Sequence, residues 1–222
     1  MRLSVCFLLF ALPSLAVAGD DISKVNGAVR TDAGQVYGDL STVNGSITLE
    51  TRVRAADVST VNGSIRSEPL ASARELTTVN GGIRLGTGNL VTGDVTTVNG
   101  GIRIGEDGRV GGDVTTVNGS ITLERARLAG DITTINGDIT VGAGSRVEGG
   151  ILVDRPRSSW WPIRFESGKP PPRVVIGPDS VVAGTLVFRR EVKLYVHDSA
   201  RIGTVTGTTP VRFSGNEPPA SP

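Results

Sequence analysis

Acids recur along this chain at one fixed position. Asp21, Asp39, Asp57, Glu75, Asp94, Asp113 and Asp131 each stand five residues before the asparagine of a repeated Val-Asn-Gly or Ile-Asn-Gly step. Stacked in register, such carboxylates would lie about 5 Å apart and repel, so each needs compensation. Two chemistries supply it. A carboxylate can cap a corner by accepting backbone N–H bonds. Alternatively, the ladder Asp39, Asp57, Asp94, Asp113 and Asp131 offers calcium the hard oxygen ligands it prefers. The nonapeptide glycine-aspartate pattern of calcium β-rolls is absent, which favours capping, with no metal and no cofactor.

Four residues after each asparagine come Arg30, Thr48, Arg66, Arg84, Arg103, Thr122 and Thr140. Arg66, Arg84 and Arg103 fall on consecutive repeats and should form an outward cationic stripe. Guanidinium groups in a row can track an acidic polysaccharide or the phosphates of an envelope lipid. The alternative is a solvated face paired with nearby acids. The only tryptophans, Trp160 and Trp161, stand together near Arg155, Arg157 and Arg164. Such a cluster can stack on sugar rings or anchor a protein interface, or it can fold down over a flank. Catalysis has less to stand on: the single histidine, His197, has no evident partner. Asp154 and Glu166 are the only acids near the tryptophans that a polysaccharide-cleaving enzyme could use.

The elements that position these residues follow from the repeat. The asparagines Asn26, Asn44, Asn62, Asn80, Asn99, Asn118 and Asn136 are spaced 18, 18, 18, 19, 19 and 18 residues apart. Apolar residues stand four before and three after each one. Segments such as "GSITL" and "GGIRL" alternate with period two, as half-buried strands do. Asn-Gly is a turn signal, since both residues tolerate positive φ. The strict spacing argues for coils stacked like on like. The expected fold is an all-β parallel β-solenoid of about ten coils, with an asparagine ladder at one corner whose amides bond one another. At about 4.8 Å per coil the rod would be about 45–50 Å long.

A third-side pattern, "IGEDGRVGGDV", reappears as "IGPDSVVAGTL" at 176–186 and more loosely at 196–205. The regular solenoid therefore spans 19–151, an inserted loop 152–173, degenerate coils 174–213, and a tail of disorder-prone composition 214–222. Residues 1–18 read as a signal peptide: a short positive start, an apolar run, then Ala16-Val17-Ala18. Without Arg2, Lys+Arg falls from 23 to 22, against 22 Asp+Glu. A neutral chain lacks the net positive field expected for nucleic acid. Cys6, the one cysteine, leaves with the signal, so the mature chain has neither disulfide nor thiolate chemistry and no transmembrane segment.

The "VNGSI" and "VNGGIRL" coils over 22–141 resemble bacterial adhesin-type domains of unassigned function, exported β-solenoids that repeat a Val-Asn-Gly-Asp-Ile-like motif. The 141–205 stretch is more weakly similar to bactofilin-type polymer-forming solenoids. Neither resemblance implies catalytic residues. With the signal peptide, the first resemblance implies a periplasmic or cell-surface structural or adhesin-like module, its partner a glycan or an envelope protein; bactofilin-type solenoids are mostly cytosolic. Self-association through the solenoid ends, giving a polymer-forming scaffold, is the second expectation.

Overall fold

Each repeat lays down three short strands, because its apolar residues alternate on both sides of the Asn-Gly step and again on the third side. The structure, a computed structural model, describes residues 19–155, 170–215 and 218–219. It is an all-β parallel β-solenoid of about nine turns. Strands before the corner form a ten-stranded sheet that runs from Asp20–Asn26 to Val205–Thr206. Strands after it form a second ten-stranded sheet, from Val29–Arg30 to Val211–Phe213. The third side is a seven-stranded sheet from Ser72–Ala73 to Arg201–Ile202, extended by the bridges of Arg54 to Val36 and Ser72. Each strand pairs in parallel with its counterpart one repeat on, as in Val95↔Val114 and Asn99↔Asn118. Among the described residues no helix is long and apolar enough to cross a membrane.

Stacking turns like side chains into continuous ladders. Ile47, Ile65, Ile83, Ile102, Ile121 and Ile139 lie one above another at the centre and are all buried. Leu40, Val58, Leu76, Val95, Val114 and Ile132 do the same before the corner. Burying each such side chain contributes about 1.5–3 kcal/mol, which is what orders strands only three to eight residues long.

The stretch "TTVNG" recurs at 77–81, 96–100 and 115–119, and each of its residues has a place in the stack. In "TTVNG" at 77–81 the first threonine is half-buried on the outer face, and the second, Thr78, is buried. Thr78 Oγ1 donates to the Gly63 carbonyl of the preceding turn at 2.9 Å, as Thr97 does to Gly81 and Thr116 to Gly100. The valine points outward: Val25, Val43, Val61 and Val79 are exposed. The glycine is there for close approach. A Cβ on Gly45, Gly63, Gly81, Gly100, Gly119 or Gly137 would sit 1.9–2.1 Å from the carbonyl oxygen of the glycine one turn earlier. The sequence argument from positive φ is therefore corrected: of the corner glycines only Gly27 has it, at 109°.

Left-handed backbone occurs elsewhere, once per turn, where the chain bends onto the third side. Gly34, Arg52, Leu70, Gly88, Asp107, Arg125, Gly144 and Asp179 occupy it with φ between 45° and 75°. Ile151 pairs with Leu186, 35 residues on, where Ile132 pairs with Ile151, 19 on, so this turn carries the difference, 16 extra residues, and they enter at a corner. Ile151–Val153 stays in the pre-corner sheet and Arg173–Ile176 rejoins the post-corner one against Ile139–Val141. Residues 1–18, and Trp160, Trp161, Arg157, Arg164 and Glu166, lie outside the described residues.

Candidate functional site

The corner is a polar spine made by the fold itself. Each asparagine donates its Nδ2–H to Oδ1 of the one before, from Asn44 on Asn26 to Asn136 on Asn118, at 2.9–3.0 Å throughout. The last acceptor, Asn136 Oδ1, would be left over at the end of the series. Arg190 fills it: its Nη1 donates to Asn136 Oδ1 and also to the Ile135 carbonyl at 2.9 Å. All amides of the ladder above Asn26 thus have an acceptor, and surface that could bind is displaced to the outer faces.

The acidic row is likewise engaged by backbone. Asp39 N–H donates to Asp21 Oδ1, Asp113 N–H to Asp94 Oδ1 and Asp131 N–H to Asp113 Oδ1, each at 2.8 Å. Asp57 N–H donates to Asp39 Oδ1 at 3.1 Å, and Gly150 N–H to Asp131 Oδ1 at 2.7 Å. Where Glu75 replaces aspartate the series breaks. Asp57 Oδ1 is left buried without a partner, while its Oδ2 pairs with Arg74. Among the described residues no group of three or more His, Cys, Asp or Glu is placed to hold a metal ion.

The arginine row is more open. Arg66, Arg84 and Arg103 stand in register on the outer face of the post-corner sheet. They line one side of a groove of about 470 Å³ whose floor is Ser64, Gly82, Gly101 and Ser120. Arg30 and Arg103 each pair with a glutamate one turn further on, Glu50 at 2.6 Å and Glu124 at 3.3 Å. The matching positions for Arg66 and Arg84 are Gly86 and Gly105. Both guanidinium groups are exposed and make no ion pair among the described residues.

Sequence reasoning missed a second basic row. Leu90, Arg109, Arg127, Arg146 and, beyond Val181, Arg201 run in register along the third sheet. The signal was present in "GRV", "ARL" and "SRV", one residue before an inward aliphatic. Arg146 is held by Glu148 through a charged hydrogen bond. That bond keeps the Glu148 carboxyl below the usual carboxylate range and the Arg146 guanidinium above its own. Of the other candidates, Arg155 is exposed, its N–H donating to Asp154 Oδ1 at 2.8 Å. His197 Nδ1 and Ser199 Oγ are 2.9 Å apart, and the imidazole packs edge-on against Phe213.

Fold and surface thus define a parallel β-solenoid with ladder-built corners and two outward basic rows. Comparison with protein-family models, with curated proteins and with solved structures finds no match to this chain.

Proposed function

We propose that this chain is a non-catalytic, exported β-solenoid that serves as a rigid structural or adhesin-like binding module of a bacterial cell envelope. The observation that carries the reading is the parallel register of three sheets, kept over about nine turns apart from one shift between Asp20 and Ile22. Such a rod holds outward side chains in straight rows at the strand spacing, and rows of that kind suit an extended partner. The apolar run of residues 1–18 supports export, and the Val-Asn-Gly coils support the adhesin-like assignment through the family they resemble. Fractionation of cells that express the full chain tests it, with the N-terminus read by mass spectrometry. The expected product lies outside the cytoplasm and begins at Gly19. A cytoplasmic product with residues 1–18 intact contradicts the reading.

A second reading, self-assembly end to end, has one observation in its favour. Among the described residues nothing pairs with the outer edge of Asp20–Asn26, and the Asn26 amide at that end of the ladder has no acceptor. Open strand edges are templates for another chain. Sedimentation velocity over a wide concentration range separates the two: growing species favour the polymer, and a concentration-independent elongated monomer removes it.

A further inference from the structure

We propose that the open stretch of the arginine row binds an acidic polysaccharide, whose chain lies along the solenoid axis over Arg66 and Arg84. This rests on the binding-module reading and names its ligand. The pairing pattern comes first. Arg30 and Arg103 show that an arginine here is neutralised by a glutamate on the next turn. At the two places between them where an arginine recurs, that glutamate is replaced by Gly86 and Gly105, so two adjacent cations face solvent. Glu68, on the same turn as Arg66, makes no ion pair with either among the described residues.

The floor of the groove is the second observation. Gly82 and Gly101 lie beside Arg84 and Arg103, and the fold does not require glycine there. Ala28, Ser46 and Asp138 fill the same position on other turns. A Cβ on Gly82 or Gly101 would lie 3.0 or 3.1 Å from the adjacent carbonyl oxygen, a tight contact, against 1.9–2.1 Å at the corner glycines. Two side chains are thus missing, one beside the free Arg84 and one beside Arg103, which Glu124 holds, and backbone is bared for close approach. Ser64 and Ser120 put a hydroxyl at each end of this bare stretch.

These features select the ligand. Guanidinium groups about 4.8 Å apart in a straight row match a polymer with regularly recurring acid groups better than a single small anion. The glycine floor accepts the flat side of a sugar ring, and the terminal hydroxyls can bond its hydroxyl groups. A lipid headgroup would present its phosphate across a plane and leave the groove unfilled.

The test is equilibrium binding by calorimetry, with the purified chain as its cell processes it, using polygalacturonate and alginate as probes. Dextran, single-stranded DNA and phosphatidylglycerol vesicles serve as comparisons. The acidic glycans are expected to bind saturably, and more weakly as salt is raised. The double variant R66Q/R84Q should lose about tenfold or more in affinity, the loss of charge-assisted hydrogen bonds. R109Q/R127Q should bind unchanged, and E124Q, which frees Arg103, about threefold more tightly. Circular dichroism verifies that each variant is folded. Absence of saturable glycan binding overturns the proposal. So does equal weakening by the two double variants, or tighter binding to DNA or vesicles. An exported chain that binds no acidic glycan removes this site and leaves the module reading standing. A cytoplasmic chain that binds does the reverse.

Discussion

Two rows of arginine run along this solenoid, and they differ in what lies beside them. On the post-corner sheet, Arg66 and Arg84 border a lane of serine and glycine, and the acids that would neutralise them are absent. On the third sheet, Arg109 and Arg127 also make no ion pair among the described residues, but they sit between apolar Leu90 and the Arg146–Glu148 pair, beside Val110 and Leu128, with no lane of serine and glycine. Residue type and spacing are the same in both. A periodic cation is what any repeat with an outward arginine produces. A site needs in addition that counter-charges be withheld and that backbone be bared.

Both rows rest on one core, so the largest effects should come from below them. Ile83→Ala, under the open row, is expected to lower stability by about 2–5 kcal/mol in chemical denaturation, and Leu128→Ala, under the other, by an amount in the same range. A near-neutral result for either would break the picture of a shared core. Next comes the corner that sets the register of the open row. Asn80→Ala leaves the Asn99 amide without its acceptor and the Asn62 oxygen without its donor, an expected loss of about 0.5–1.5 kcal/mol. Asn26→Ala, at the ladder's end, should lose less.

Smaller still is the ion pair at the row's flank. Glu50→Gln should change stability by no more than about 1 kcal/mol, less in high salt, because the Arg30 side chain is 75% exposed. The finest comparison is within the third sheet. Arg146 favours the ionised form of Glu148 by hydrogen bond and charge, so Arg146→Gln should raise that carboxyl back toward its ordinary range in an NMR titration. No shift would mean that Arg146 does not hold Glu148.

Much of the scaffold was legible, because a solenoid writes its geometry into its period. Inward aliphatics before and after Asn80 and the register of Arg66 on Arg84 follow from counting. The burial of Thr78 follows from the same alternation, since Leu76 turns in and Thr77 out. Its bond to the carbonyl of Gly63 one turn away does not. The glycine of each corner was read for its backbone angle, whereas its reason is a neighbour 18 or 19 residues earlier that no local signal reveals. The row through Arg109 and Arg127 was missed for a simpler cause: the third side varies too much for its outward position to stand out. The contrast between paired and unpaired arginines needed three-dimensional stacking, since Glu50 and Gly86 acquire meaning only beside Arg30 and Arg66.

The most direct measurement is a hydrogen-exchange footprint of the chain with and without polygalacturonate. Added protection is expected over the serine-glycine lane at 64, 82, 101 and 120 and the strands Ile65–Ser67 and Ile83–Leu85, with the third sheet unchanged. Protection centred instead on Arg109–Val110 and Arg127–Leu128, or spread evenly over both faces, would contradict the claim that withheld counter-charge and bared backbone make the site.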